Sequence, residues 1–185
     1  MELRPQDVVV VLKVLLPKGP RNWTYTTLGE ELCMSASQVF RSIERAQAAS
    51  LMARPALGQI PGVAGVDSIA WLNPNRSNLK EFLVHGVRYA FPVHRGGPTR
   101  GIPTAVAAPP LNQHVLPPPL PPVWPWAEGS VRGTEFSPLY KNAPLAALRD
   151  EKLYELLALT DAIRDGRARE REIAVRELTS RIDSY

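Results

Sequence analysis

The sequence has a single cysteine, three histidines and no motif of a known catalytic type. Cys33 therefore cannot form a disulfide within the chain and sets no constraint on the redox compartment. His85, His94 and His114 lie nine and twenty residues apart, without the close spacing of a zinc site. Neither a phosphate-binding glycine loop, a nucleophile elbow nor a zinc-protease motif occurs. We therefore expect no enzyme, no metal site and no cofactor.

Long hydrophobic runs are also missing. The longest candidate, Val8–Leu16, is interrupted by Lys13 and is too short to cross a bilayer as a helix. The N-terminus lacks the charged region and cleavage site of a secretory leader. These shortages predict a cytoplasmic protein without a membrane partner.

Excess charge is small and unevenly placed. The 185 residues carry a formal net charge of +4 at pH 7. Seven basic and five acidic groups lie in residues 1–54, seven and four in 55–145, and eight and nine in 146–185. The positive excess therefore lies in the first three quarters of the chain. Such an excess is compatible with a nucleic-acid partner but is weak support alone.

The most informative stretch is 24–51, which predicts two short helices joined by a tight turn. Leu28 and Leu32 are four residues apart and share one helix face. Met34 and Ser35 then interrupt the helical pattern. Gln38 follows Ser35 by three residues, which is the spacing of a capping box at a helix start. The arrangement predicts a helix-turn-helix unit.

The second helix of this unit has one apolar stripe. Val39, Ile43 and Ala46 fall at i, i+4 and i+7, which predicts the buried face. Side chains able to bind base edges and phosphates are expected off that stripe. They are Ser37, Gln38, Arg41, Ser42 and Arg45.

The pattern L-x-x-x-L-x-x-S-x-S-x-V-x-R-x-I-x-R-A, which begins at Leu28, resembles the recognition unit of bacterial winged helix-turn-helix regulators. That class includes MarR-like repressors. The resemblance covers the first third of the chain and implies DNA binding through the helix after Ser35. The chain departs from the class at Gly29, where alanine is preferred, and at Phe40, an exposed position that is usually polar. An ordinary helical hairpin within a core is the alternative interpretation.

The resemblance also implies roles for individual side chains. Arg41, Gln38 and Ser37 would contact bases. Ser35, Arg45 and Arg54 would contact phosphates or support the contact. The full expected DNA-binding set is Thr26, Ser35, Ser37, Gln38, Arg41, Ser42, Arg45 and Arg54.

Residues 1–72 would form the DNA-binding domain. Trp23–Tyr25 predicts a short strand, while Leu51–Arg54 and Ser68–Leu72 predict the two strands of a wing. The segment 55–67 between the wing strands contains no lysine or arginine. A weak contribution of the wing to phosphate binding is therefore expected.

The middle of the chain is expected to connect and cover this domain. A helix is predicted over 73–91, with Ser77 as its cap and Pro92 at its end. Residues 92–144 form a proline-rich strap, and 92–125 alone hold eleven of the nineteen prolines. This density predicts that helices and central strands are excluded. We expect the strap to dock over the domain or its dimer mate, with a flexible linker or a proline-motif ligand as alternatives.

The strap contains two further features of interest. The GGPTRG piece predicts a loop, with an anion site beside Arg95 and Arg100 as the alternative. Several apolar side chains of the strap are expected to be buried. Among them are Leu116, Leu120, Trp124 and Trp126.

The last segment, 145–185, predicts two helices. Asp150 caps the first, which runs to about Asp165. The second has a narrow apolar face suited to docking against another helix, in this chain or in a second copy. We expect this region to dimerise or to bind a partner. The face consists of Ala174, Leu178 and Ile182.

Together these features predict an α+β chain, mainly α, with a winged helix-turn-helix domain, a proline-rich strap and C-terminal helices. The favoured function is that of a sequence-specific, double-stranded DNA-binding transcriptional regulator. We expect a bacterial, homodimeric repressor that reads the major groove. The alternative is a protein-interaction module, such as an autoregulating antitoxin that binds a partner protein through its C-terminal half.

Overall fold

The computed structural model describes residues 2–17, 23–53, 69 and 72–185. Its fold is α+β and mainly helical, as predicted. The N-terminal helices are α1 (Pro5–Leu15), α2 (Tyr25–Leu32) and α3 (Ala36–Ala48). A second helical stretch comprises α4 (Arg76–Glu81), a π-helical turn (Phe82–Gly86) and α5 (Val87–Ala90). The C-terminal helices are α6 (Ala143–Arg149), α7 (Glu151–Asp165) and α8 (Ala168–Ser184).

Three strands lie between α5 and α6, namely β1 (Arg95–Pro103), β2 (Pro122–Pro125) and β3 (Val131–Phe136). β1 pairs antiparallel with both β2 and β3, while β2 and β3 pair in parallel, so the strands close into a small barrel. The expectation that the proline content excludes central strands is therefore wrong. The GGPTRG piece lies in β1 and is not a loop.

Prolines fit this barrel because they lie where a strand can lose a backbone N–H. Pro122 and Pro125 are the first and last residues of β2. Pro98 lies where the register between β1 and β3 shifts. Strand ends and bulges tolerate proline for this reason. Gly101 lets β2 approach β1 closely, since a Cβ there would lie 2.0 Å from the Trp124 carbonyl oxygen.

The core is organised around α7, which packs against α1, α5, α6 and α8. Asp150 caps it as predicted, because its carboxylate accepts the Leu153 N–H at 3.1 Å. Every residue from Leu156 to Arg164 is buried. From Leu156 to Arg164 the helix is thus enclosed on all sides and forms the centre of the molecule.

The last helix, α8, is held against α7 by the narrow apolar face that the sequence indicates. Ala174, Leu178 and Ile182 are each at most 1% exposed. Arg181 adds a salt bridge to Glu155 of α7 at 2.8 Å. The three apolar residues dock within the chain, which is one of the two alternatives that the sequence leaves open.

The proline-rich segment docks on its own chain. Trp124 is 1% exposed and Trp126 is half-buried, so the expected burial of the first indole is confirmed. The Trp124 Nε1–H donates to Asp161 Oδ2 at 2.7 Å and ties β2 to α7. Leu116 and Leu120 are 92% and 49% exposed, so their expected burial is wrong.

Short backbone pairings hold the residues on either side of the segment 54–68. Met52 forms an antiparallel bridge with Pro74. The Ile69 N–H donates to the Trp23 carbonyl at 2.9 Å. These short pairings are compatible with the base of a winged helix. The segment 54–68 itself, which includes the predicted wing loop, lies outside the described residues, as does most of the second predicted wing strand.

The helix that follows begins at a different cap from the one predicted. Asn75 Oδ1 accepts the Asn78 N–H at 3.2 Å, so Asn75 caps α4 and Ser77 lies in its first turn. Asparagine satisfies an unpaired N–H at this position as well as serine does.

Candidate nucleic-acid interface

α2 and α3 form the predicted two-helix unit. The Thr24 hydroxyl accepts the Thr27 N–H at 3.1 Å and caps α2. Leu28 and Leu32 are fully buried, which confirms the predicted face of α2. The apolar stripe of α3 is also buried as predicted. It consists of Val39, Ile43 and Ala46.

The turn between the helices depends on a left-handed residue and a close backbone approach. Cys33 follows α2 with φ 55° and ψ 42°. The Met34 N–H then donates to the Gly29 carbonyl at 2.8 Å. A Cβ at Gly29 would lie 2.6 Å from the Met34 carbonyl oxygen. Glycine, where the resembled class prefers alanine, therefore allows this turn to close tightly.

A reciprocal capping box fixes the start of α3, as the serine–glutamine spacing predicts. The Gln38 N–H donates to Ser35 Oγ at 3.2 Å, and the Ser35 N–H donates to Gln38 Oε1 at 2.9 Å. The Ser37 hydroxyl lies 3.2 Å from the Ser35 hydroxyl. The Gln38 side-chain oxygen is thus used in the cap, while its NH₂ group can donate to a ligand.

Four of the predicted DNA-binding residues are exposed on this unit. Thr26 lies in the first turn of α2, and Ser35 immediately precedes α3. Ser37 and Arg41 are four residues apart on α3 and face the same side. Gln38 is half-buried beside them. The first half of α3 therefore brings the predicted base-contacting side chains onto one exposed surface.

Phe40 is 44% exposed, in keeping with its unusual place in the sequence pattern. Its ring packs edge-on against Tyr25 of α2, with centroids 5.4 Å apart. Burial, and then the charge of Glu44, raises the pKa of Tyr25. The aromatic contact joins the start of α2 to α3.

Ser42 and Arg45 do not lie off the buried face, so that expectation is wrong. Arg45 Nε and Nη2 donate to the two carboxylate oxygens of Asp7 at 2.8 and 2.6 Å. The same Nη2 donates to Ser42 Oγ at 3.1 Å. Hydrogen bonding to Asp7 raises the pKa of Arg45. The pair fastens α3 to α1 and leaves neither side chain free for DNA, while Arg54 lies outside the described residues.

Residues from the far end of the chain hold the turn in place. The Tyr140 hydroxyl and Asn142 Nδ2 donate to the Cys33 carbonyl at 3.2 and 2.9 Å. Arg149 Nη1 donates to the Glu30 carbonyl at 3.0 Å. Between 107 and 119 residues separate these partners. No local pattern could have predicted the contacts.

These contacts add two exposed cations beside the turn, next to the exposed Glu30 at the end of α2. The exposed charges of α3 are Arg41 and Glu44, which balance. Lys141 lies between the two residues that hold the turn, and both it and Arg149 are exposed. Cations are what a phosphate backbone binds. We call the resulting set the helix-turn-helix surface, made of Thr26, Ser35, Ser37, Gln38, Arg41, Lys141 and Arg149.

No family model, curated protein or solved structure matches the chain. Among the residues that the structure describes, no group of three or more histidine, cysteine, aspartate or glutamate side chains could hold a metal ion. Within that same part of the chain, no helix has the length and apolarity needed to cross a bilayer. Function is therefore inferred from the geometry and charge of the helix-turn-helix surface.

Proposed function

We propose that this chain binds double-stranded DNA in the major groove and acts as a sequence-specific transcriptional regulator, a repressor in the bacterial cytoplasm. The supporting observation is the exposed first half of a capped α3, which presents Ser37, Gln38 and Arg41. An α-helix fits the major groove, where side chains of these types hydrogen-bond base edges. In a hairpin buried within a core, this face of α3 would be covered.

Phosphate contacts complete the proposed interface. α3 supplies only Arg41, and the nearby Glu44 offsets its charge. Lys141 and Arg149 would supply the missing cations, and Thr26 would add a hydroxyl donor at the start of α2. The C-terminal half thus takes part in DNA binding through side chains fixed beside the turn.

The experiment begins with selection of binding sites from random duplexes. Fluorescence anisotropy then measures affinity for the selected site over a range of salt concentrations. Arg41→Ala is expected to weaken specific binding by about 1–3 kcal/mol and to relax sequence preference. Lys141→Ala is expected to weaken binding to all duplexes alike. It should also lower the slope of log affinity against log salt concentration by about 1.

The matched control is Arg176→Ala, which removes an exposed arginine from α8. It should leave both affinity and specificity close to those of the parent. If Arg41→Ala binds the selected duplex as tightly as the control, with normal thermal stability, α3 does not read the bases.

A homodimer belongs to the proposal. One recognition helix reads only a few base pairs, whereas two-fold pairing places two such helices about 34–36 Å apart on the duplex. The operator would then be an inverted repeat. Because the apolar face of α8 is buried within the chain, pairing must use another surface. Light scattering tests the dimer, and a monomer both with and without the selected duplex would contradict it.

An exposed apolar segment favours a second function, the binding of a protein partner. Leu116 and Leu120 are 92% and 49% exposed, and Pro118 and Pro119 between them are exposed too. Extended proline-rich segments dock into aromatic-lined grooves of partner domains. In this function the chain is a protein-interaction module, for example an antitoxin that also represses its own promoter.

Purification at native expression levels tests this second function. A stoichiometric partner that is lost with Leu116→Ser/Leu120→Ser would support it. Leu148→Ser is the control, since Leu148 is 59% exposed on α6. A parent chain that purifies alone, or a partner retained by the double variant, would count against the segment.

A further inference from the structure

Two arginines lie side by side on neighbouring strands of the barrel. Arg100 of β1 and Arg132 of β3 are directly opposite in the antiparallel register, and both are exposed. The Cβ atoms of such a pair lie about 4.5–5.5 Å apart, and like charges placed in this way destabilise a sheet. Their positions therefore concentrate positive charge at a structural cost.

Neither charge is neutralised within the described part of the chain. Salt bridges there involve Arg95, which pairs with Asp165, but neither Arg100 nor Arg132. The Glu135 carboxylate lies beside Gly96, four residues before Arg100 on β1. The two guanidinium groups thus keep their hydrogen-bond donors for solvent or for a ligand.

A cavity of about 240 Å³ opens at this pair and is lined by Pro98, Thr99, Arg100 and Arg132. The Thr99 hydroxyl makes one long contact, 3.4 Å to the Arg100 carbonyl, so it can turn to donate elsewhere. No carboxylate lines the cavity. Planar guanidinium groups bind phosphate oxygens in pairs of parallel hydrogen bonds. The cavity walls therefore offer donors and positive charge to an anion with several oxygens.

We propose that Arg100, Arg132 and Thr99 bind a phosphate group. An anion held between the guanidinium groups would replace their mutual repulsion by attraction to a shared partner. The site does not depend on the helix-turn-helix function. If the phosphate belongs to a nucleic-acid backbone, the barrel provides a contact separate from α3. If it belongs to a free phosphate or nucleotide, the barrel is a small-ligand site.

Thermal unfolding with inorganic phosphate tests the site itself. A ligand that binds only the folded state raises its melting temperature. Phosphate should stabilise the parent more than chloride does at equal ionic strength. Arg100→Gln/Arg132→Gln should lose that difference and, in dilute chloride, should melt no lower than the parent because a repulsion has been removed. The control Arg169→Gln/Arg176→Gln removes two exposed arginines from α8 and should retain the phosphate effect.

Anisotropy with a short duplex of unselected sequence identifies the source of the phosphate. For a nucleic-acid backbone, Arg100→Gln/Arg132→Gln should bind the duplex roughly tenfold more weakly than the control, with a salt slope lower by about 1–2. For a free phosphate, duplex affinity should equal that of the control while the phosphate-specific stabilisation remains in the parent.

The proposal is overturned if the barrel variant, Arg100→Gln/Arg132→Gln, matches the α8 control, Arg169→Gln/Arg176→Gln, in both assays. It is also overturned if phosphate stabilises the barrel variant as much as it stabilises the parent. Arg41→Ala separates the two proposals. A loss of specific binding in Arg41→Ala, with a normal barrel variant, would retain the α3 function and remove only the phosphate site.

Discussion

The N-terminal helices and the C-terminal core each bury an aspartate–arginine pair, and the two pairs stabilise different kinds of contact. Asp7 and Arg45 come from α1 and α3, 38 residues apart, and fasten one helix to the other. Asp161 and Arg164 belong to the same helix, α7, and Arg164 Nη1 lies 2.7 Å from Asp161 Oδ1. The first pair thus sets the relative position of two helices, whereas the second needs no tertiary contact to form.

The second pair instead gathers other segments around α7. Asp161 Oδ2 accepts from the Thr104 hydroxyl at 2.8 Å and from the Trp124 indole at 2.7 Å. Burial raises the pKa of Asp161, although Arg164, Thr104 and Trp124 act to lower it. Arg164 donates to the backbone carbonyl of Phe91, shortly before β1, and to that of Ser137, directly after β3. The barrel therefore depends on α7, while the N-terminal pair stabilises a contact between two helices only.

Removal of residues 145–185 should have the largest effect. It deletes α7, against which α1 and α5 pack and to which β1 and β2 are hydrogen-bonded through Pro103 and Trp124. We expect the remaining chain to lose cooperative unfolding because its apolar side chains have no core to enter. Circular dichroism during urea titration measures this. A truncated chain with a sharp, two-state transition would show that the N-terminal helices fold independently of α7.

Asp161→Ala should have the next largest effect. It leaves Arg164 buried without its carboxylate and deprives Thr104 and Trp124 of their acceptor. Loss of one partner of a buried ion pair costs about 3–5 kcal/mol of unfolding free energy. Urea denaturation measures the loss.

Asp183→Ala is the matched control for Asp161→Ala. Asp183 is an aspartate whose salt bridge to Lys80 is at the surface, with its side chain 54% exposed. Its removal should cost under about 1 kcal/mol. Equal losses of unfolding free energy in the two variants would mean that the Asp161 network stabilises the fold no more than a surface salt bridge does.

Arg45→Ala should cost about 2–4 kcal/mol, somewhat less than Asp161→Ala. It leaves the fully buried Asp7 with one donor, the Arg4 N–H at 2.8 Å. Arg41→Ala makes the same substitution four residues earlier on the exposed face and should stay within about 0.5 kcal/mol of the parent. Denaturant midpoints compare the three proteins. If Arg45→Ala is as stable as Arg41→Ala, the Asp7–Arg45 pair does not stabilise the packing of α1 on α3.

Local features of the helix-turn-helix unit could be predicted from the sequence because their causes are local. The capping box of Ser35 and Gln38 spans three residues, and the stripe of Val39 and Ile43 follows the helical period. The helical period alone predicts Arg45 on the exposed side. Its burial depends on Asp7, a partner in another helix. A charge off the apolar stripe can be buried wherever a distant counter-charge meets it.

The barrel could not be predicted because its pairing joins segments far apart in the chain. β1 finds its partner β3 about thirty residues later, with no turn signal to specify the register. A high proline content predicts that central strands are excluded. The prolines lie at the ends of β2 and at the irregularity beside Pro98, so proline position rather than proline number decides the outcome. Lys141 lies beside the turn because its neighbours Tyr140 and Asn142 make contacts that are equally non-local.

The smallest expected effect is a change of the unfolding free energy with pH, caused by Tyr154 on the side of α7 that contacts the barrel. The Tyr154 hydroxyl donates to the Pro103 carbonyl at 2.6 Å, and burial raises its pKa from 10.0 to about 12. Above pH 10 the unfolded chain releases this proton while the folded chain keeps it. The unfolded state then binds fewer protons, so the free energy of unfolding falls as pH rises from about 10 to about 12.

Tyr154→Phe should remove that dependence. At neutral pH the variant loses one hydrogen bond and should be less stable by about 0.5–1.5 kcal/mol. This deficit should shrink as pH rises through 10, because only the parent must keep a buried phenol protonated. Burial lowers the pKa of Lys13, but the hydrogen bonds to Asp150 and Glu31 and the charges of both carboxylates outweigh it, so the pKa is raised. Its contribution is lost at alkaline pH in both proteins alike, so the difference between their urea midpoints isolates Tyr154. A deficit that stays constant from neutral pH to about pH 11 would mean that Tyr154 ionises equally in the folded and unfolded chains.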